Sequence, residues 1–200
     1  MRVSASPEDM APDRTGVAAS YRRYLVLVTI MLSAGLMLIS GLNALIDPLW
    51  LFKHEHRLNS VQPFFDGRAQ KTNWLHARVG QFDAVLLGSS RSTYIDQRGF
   101  HPWRLFNYAN NALWPHEYQP YLEHFTEVSG RAPALVVLGV DFFGSRVPAG
   151  NLGSAEGYVD RANDPRYRLA SLMSIDLLGK SLRTIYASLD PGDIRRRDRF

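Results

Sequence analysis

Cysteine is absent from the sequence, which excludes disulfide bonds, lipobox acylation, thiolate metal sites and a cysteine nucleophile. A large excess of charge of one sign is also absent, since 23 Lys and Arg against 19 Asp and Glu give a formal net charge of +4. Without a nucleic-acid-binding motif, this modest excess argues against a nucleic-acid partner. His54 and His56 could bind a metal only with a third ligand, and none is evident. We therefore expect no metal and no cofactor.

Charged side chains are also missing from a long apolar stretch, residues 24–46. About 20 apolar residues span the core of a bilayer, so residues 21–46 are predicted to be a transmembrane anchor. Arg22 and Arg23 precede the stretch, and by the positive-inside rule they place the tail, residues 1–20, in the cytoplasm. That tail is rich in Ser, Pro, Asp and Ala and is predicted to be disordered. The remaining chain then faces the periplasm, with the inner membrane bilayer as a partner.

Two alternatives compete with the anchor. A cleaved signal peptide would have a shorter apolar core and a small-x-small cleavage site. A helix of a globular domain is the other alternative, and it is less favoured because this segment is apolar all round. The length of the apolar run and the exit sequence from Asn43 to Pro48 favour an uncleaved anchor.

Residues 47–81 are interpreted as a connector with a short helix over 73–79, and residues 82–200 as an α/β domain. Within that domain, Ala84–Leu87 and Ala134–Leu138 are continuous apolar runs typical of strands covered on both faces. Leu105–Tyr108 is predicted to be a shorter strand between them.

Helical spacing of apolar residues predicts a helix over 118–128, capped by Gly130, and a second helix over 167–189. Residues 144–165 are rich in Gly, Pro, Asn and Asp and are predicted to form a loop. Strands that alternate with helices imply right-handed parallel crossovers. The predicted fold is therefore a three-layer α/β sandwich with a short parallel sheet of flavodoxin-like type.

The two strongest strands end alike, in Leu87-Gly88-Ser89-Ser90 and in Leu138-Gly139-Val140-Asp141. Parallel strands end at the same edge of a sheet, so Ser90 and Asp141 are expected to face one crevice, with Asn107 nearby. Two plainer interpretations stay open. Ser90 could cap the next helix as a turn serine, and Asp141 could be a structural carboxylate at a strand end.

These motifs resemble the blocks of the SGNH/GDSL hydrolase superfamily over about residues 82–143. Gly88-Ser89-Ser90 is similar to the family's Gly-Asp-Ser, with Ser in the Asp place. The stretch from Asn107 to Ala112 is similar in position to the block Asn-x-Gly-x-Ser-Gly, but it has alanines where glycines are usual. Gly139-Val140-Asp141 is similar to Gly-x-Asn, with Asp in the Asn place.

The resemblance implies an incomplete SGNH domain whose nucleophile is Ser90, with backbone amides as oxyanion donors. The further oxyanion or substrate contacts that it implies are Asn107, Asn110, Asn111 and Asp141. Arg91 could hold an anionic group of a substrate, and a surface salt bridge is the plainer interpretation of this residue. The implied reaction is ester hydrolysis or acyl transfer on an acyl ester of an envelope polysaccharide. An ionised Asp141 cannot donate a hydrogen bond to an oxyanion as Asn would.

The family's last block, Asp-x-x-His, is absent, and the last histidine of the sequence is His124. A serine without a base is a poor nucleophile at neutral pH. We therefore expect either the N-terminal part of a longer enzyme, with little activity in this chain alone, or a pseudoenzyme. A non-catalytic protein that binds envelope polysaccharide or serves as a scaffold, and a truncated product without function, are the alternatives.

Overall fold

The computed structural model describes residues 14–141 and 154–189, which divide into two compact units between Leu38 and Ile39. Helix α1 (Arg14–Ile46) begins in the first unit, and its stretch Ser20–Ile46 is long and apolar enough to cross a membrane. Apolar side chains of the first unit, such as Met31 and Leu38, are exposed. Such a surface is what lipid would cover. The coarse prediction of one N-terminal helix that could span a membrane is therefore confirmed.

The second unit contains a parallel sheet of three short strands. They are β1 (Ala84–Leu87), β2 (Leu105–Asn107) and β3 (Leu135–Leu138), in the order β2-β1-β3. Ala84 lies opposite both Leu105 and Leu135, so the three strands start and end nearly level. The predicted mixed α/β class with a short parallel sheet is confirmed.

Helices cover one face of this sheet. Val85 of β1 and Phe106 of β2 pack into a core with residues of α2 (Gly67–His76), α3 (Tyr118–Ser129) and α4 (Ala155–Asn163). On the other face, Ala84, Leu86, Leu105 and Ala109 form a smaller cluster with Phe100, which belongs to a 3₁₀ turn. The further 3₁₀ turns are Arg57–Asn59, Ser92–Tyr94 and Pro115–Glu117.

Strand β3 differs from the prediction of a strand covered on both faces. Its residues alternate in burial, and Val136 and Leu138 remain 37% and 54% exposed. The physical reason is its place at the edge of the sheet, next to β1 only, where one row of side chains is incompletely covered.

Three helices also differ from the sequence prediction. Helix α2 covers residues 67–76, rather than 73–79, because Asp66 caps it by accepting a hydrogen bond from Ala69 N at 3.2 Å. Helix α4 forms inside the predicted loop, of which residues 144–153 lie outside the described part. The predicted helix over 167–189 is two helices, α5 (Pro165–Leu172) and α6 (Ile175–Leu189). Ser174 begins the second one, since its Oγ accepts from Leu177 N at 3.3 Å.

Candidate active site at the carboxyl edge of the sheet

Gly88 and Gly139 follow β1 and β3 directly and lie side by side. Gly139 N donates to Leu87 O at 2.7 Å. A Cβ built on either glycine would lie 3.3 Å from the other glycine's Cα and would collide with the side chain of Ser92. Ser92 is buried and its side chain therefore fills the space that the two glycines leave open. The sequence prediction that both strands end at the same edge is confirmed.

A small cleft of about 50 Å³, open to solvent, lies at this edge. It is lined on one side by Ser89 and Asp141 and on the other by residues that follow β2: Ala112, Leu113, Trp114, Pro115 and Tyr118. Its lining combines aromatic and apolar side chains with a few polar groups, as the linings of small-molecule sites do.

Ser90 lies one residue beyond Ser89 and is exposed. Its carbonyl accepts a hydrogen bond from Thr93 Oγ1 at 2.6 Å, and Ser89 O accepts one from Ser92 N at 3.0 Å. These bonds close a turn over residues 89–93, the serine turn, which carries Ser90 at the surface. Among the described residues, no hydrogen bond uses the N–H of Ser90, so that donor is open to a ligand.

Asn107 and Asn110 are both buried, and internal hydrogen bonds hold their side-chain amides. Asn107 Nδ2 donates to Ser92 O at 3.0 Å and to Ile95 O at 3.2 Å. These bonds hold the serine turn from its buried side. Asn110 Nδ2 donates to Tyr108 O at 3.0 Å. Neither residue lines the cleft, and Asn111 is exposed.

Asp141 faces Arg91, with 3.9 Å between Oδ1 and Nη1. Because the Arg91 side chain is 69% exposed, this pair contributes little to stability. Tyr118 OH donates to Gly139 O at 2.9 Å, and burial, with the charges of Asp141 and Glu117, raises the pKa of Tyr118. The polar groups that line the cleft therefore include the carboxylate of Asp141 and the hydroxyl group of Ser89.

A histidine base is not in place. All six histidines lie in the described part of the chain, and no hydrogen bond there joins any of them to Ser89 or Ser90. Both His54 and His56 have Nε2 near Leu45 O, at 3.0 and 2.6 Å, so these rings cap the end of α1. Within residues 14–141 and 154–189, no group of three or more His, Asp or Glu side chains could hold a metal ion.

Sequence reasoning missed the polar side chains of α2 that hold the opposite wall of the cleft. Lys71 Nζ donates to Ala109 O at 2.6 Å, and burial lowers the pKa of Lys71 to about 7. Arg68 Nη2 donates to Ala112 O at 2.8 Å. Helix α2 has no apolar stripe, so hydropathy gave no signal that its polar residues are buried.

Comparisons with known proteins give no relative: no family model matches the chain, and no curated protein or solved structure matches it. The class that the structure itself defines is a mixed α/β unit with a short parallel sheet and an apolar N-terminal helix.

Proposed function

We propose that this chain is a membrane-anchored, SGNH-like serine esterase or O-acyltransferase that acts on an acyl ester of an envelope carbohydrate. The proposal includes an inner-membrane anchor, a periplasmic α/β unit and a three-layer arrangement of its sheet. One observation carries it: the serine turn, Asp141 and the loop at Ala112 meet around one cleft at the carboxyl edge of a parallel sheet.

In the proposed reaction, Ser90 Oγ attacks the ester carbonyl carbon and loses its proton to a base. The carbonyl oxygen becomes negative and accepts hydrogen bonds from the N–H groups of Ser90 and Ala112. The alcohol leaves, and water or a sugar hydroxyl then attacks the acyl-serine. Because no hydrogen bond joins a histidine to Ser90 among the described residues, the proposal assigns the base to no residue of this chain.

A fluorophosphonate probe tests the serine, with imidazole supplied as the missing base. We expect the full chain in detergent micelles to react slowly with the probe alone and at least about tenfold faster with imidazole, in the range of general-base effects. Ser90→Ala should abolish labelling, while the matched variant Ser89→Ala should retain it. Labelling that survives in Ser90→Ala, or that imidazole does not accelerate, would contradict the proposal.

A second function is favoured by the missing histidine contact, and it is non-catalytic binding of an envelope polysaccharide. Trp114 and Tyr118 line the cleft and offer aromatic surface to a sugar ring, and Asp141 offers an acceptor to its hydroxyl groups.

This alternative predicts glycan binding that survives Ser90→Ala. Trp114→Ala should weaken binding on the order of tenfold or more, as for the loss of an aromatic anchor. Trp103→Ala, at a tryptophan that does not line the cleft, should leave binding unchanged. Calorimetric titration with envelope oligosaccharides measures both, and equal effects of the two tryptophan variants would argue against this function.

A further inference from the structure

A buried ion pair lies behind the wall of the cleft that faces the serine turn. Arg68 lies on the first turn of α2 and binds Glu117 through its two terminal guanidinium nitrogens, Nη1 and Nη2. The Nη2–Oε2 distance is 3.0 Å. The two side chains are only 7% and 10% exposed. Such a bidentate ion pair fixes the orientation of the guanidinium and carboxylate groups as well as their separation.

The same two side chains also hold the backbone between them. Arg68 Nη2 donates to Ala112 O at 2.8 Å, and Glu117 Oε2 accepts from Trp114 N at 2.9 Å. The ion pair therefore clasps two consecutive peptide groups, Ala112–Leu113 and Leu113–Trp114. We refer to Arg68 and Glu117 as the clasp.

The backbone that the clasp holds is strained. Ala112 has φ of 49°, in the left-handed region, which costs a residue with a Cβ about 1–2 kcal/mol. Leu113 N donates to Asn110 O at 3.3 Å, which closes a turn with Ala112 in its third position. Asn110 N in turn donates to Gly88 O at 3.0 Å, which joins this turn to the end of β1.

The held segment is also the part of the loop that meets the cleft. Ala112 and Trp114 line the cleft together with Ser89. Within the described residues, no hydrogen bond uses the N–H of Ala112, while its carbonyl is bound by Arg68. Arg68 thus binds the carbonyl of Ala112, while the N–H of Ala112 stays free at a residue that lines the cleft together with Ser89.

Stability alone is a weak reason for such a pair. Buried ion pairs add little beyond what apolar side chains of similar volume would give, because both charges lose their hydration. What they add is direction, and here the directed bonds end on the two peptide groups on either side of Leu113. We infer that Arg68 and Glu117 are positioning residues that hold the Ala112 N–H ready to donate to an oxyanion formed at Ser90. This inference rests on the proposed function.

Arg68→Met tests the inference in the full chain in micelles, with imidazole-assisted fluorophosphonate labelling of Ser90 as the readout. We expect the labelling rate to fall about 10²-fold, the usual loss when one oxyanion donor is removed. Arg68→Lys keeps the charge without the planar fork and should give an intermediate rate. Rates are compared at a temperature where every variant remains folded.

The matched control is Arg78→Met. Arg78 is a buried arginine two residues beyond α2, and it pairs with Glu55 at 2.9 Å, away from the cleft lining. If Arg68 served stability alone, Arg68→Met would lose stability, as we expect Arg78→Met to do, and neither variant would lose labelling rate. The inference expects the Arg68 variant alone to lose rate. A wild-type rate in Arg68→Met would overturn the inference and leave the proposed function standing.

A second readout does not depend on activity. With ¹⁵N-labelled Ala and Trp, the amide resonances of Ala112 and Trp114 should shift in Arg68→Met and stay in place in Arg78→Met. If the wild type is not labelled at Ser90, the proposed reaction fails. The amide resonances then still show whether Arg68 positions the backbone at Ala112 and Trp114. Unchanged resonances in Arg68→Met would overturn the inference.

Discussion

Gly88→Ala is expected to lower the free energy of unfolding by about 3 kcal/mol, at the upper end of the usual range for overpacking. The new Cβ would lie 2.6 Å from Ser92 Cβ, closer than nonbonded carbon atoms approach, and 3.3 Å from Gly139 Cα, which is a tight contact. Gly139→Ala should behave alike, since its Cβ would meet the same Ser92 side chain.

Ser92 cannot move away without breaking the serine turn. Its N–H donates to Ser89 O at 3.0 Å, and its carbonyl accepts from the buried Asn107 amide at 3.0 Å. The collision therefore transfers to Ser89 and Ser90, and we expect Gly88→Ala to lose fluorophosphonate labelling as well as stability.

Gly99→Ala is the matched control, because a Cβ at Gly99 has open space within 4 Å. We expect its stability to stay within about 0.5 kcal/mol of the wild type, as for most surface substitutions. Denaturant unfolding of the full chain in micelles measures these changes. In the pair Gly88→Ala with Ser92→Gly, the collision is removed, so the combined loss should be clearly smaller than the sum of the single losses. Strictly additive losses would show that Ser92 is not the obstacle.

Acidification is expected to destabilise the second unit by about 3 kcal/mol through His124. This residue is buried on α3 and stacks on His76 of α2, with ring centroids 6.1 Å apart. Burial, and then the neighbouring His76, lower the pKa of His124 from 6.5 to about 4, although the backbone carbonyl of Thr72 opposes the change. That difference corresponds to ~3 kcal/mol at about 1.36 kcal/mol per pKa unit.

The sign follows from proton binding. Above pH 6.5 both the folded and the unfolded state hold a neutral His124, so stability does not depend on it. Between pH 6.5 and about 4 only the unfolded state binds the proton, so stability falls as the pH falls. His76 adds to the effect, because burial and then Arg168 lower its pKa, although Glu127 and Asn163 oppose the change.

His124→Phe should flatten this pH dependence, since the ring still fills the site but does not titrate. His116→Gln, at an exposed histidine, should leave the wild-type profile intact. Denaturant unfolding at several pH values between 7 and 4 measures the profiles. An unchanged slope in His124→Phe would contradict the assignment of the acid sensitivity to the buried pair.

Where local pattern decides structure, the sequence predicted it well. The continuous apolar run of β1 predicted its bounds, and Gly130 ends α3 with φ of 68°, as its position at the end of the apolar spacing predicted. Helix α4 was not predicted, because its polar composition resembles a loop and its stability comes from packing on α2 and α3. The break before α6 depends on one cap, Ser174, inside a continuous helical pattern.

The residues of the candidate site also divide into those that the sequence predicted and those that it did not. The strand ends predicted that Ser90 and Asp141 would face one crevice. The parallel strands do end at one edge, but Ser89 rather than Ser90 lines the cleft together with Asp141. The amide side chains of Asn107 and Asn110 also drew attention from sequence, yet their partners are backbone groups that only the folded loop brings near. Arg68 and Glu117 lie 49 residues apart in the chain, and no local pattern relates them.

The position of the fluorophosphonate adduct tests the central claim most directly. Trypsin cleavage after Arg78 and Arg91 releases one peptide, residues 79–91, that contains both Ser89 and Ser90. Fragment ions from tandem mass spectrometry then separate the two serines. We predict that imidazole-assisted labelling places the phosphonyl group on Ser90. An adduct on Ser89 or elsewhere, or no adduct in the presence of imidazole, would contradict the assignment of Ser90 as the nucleophile.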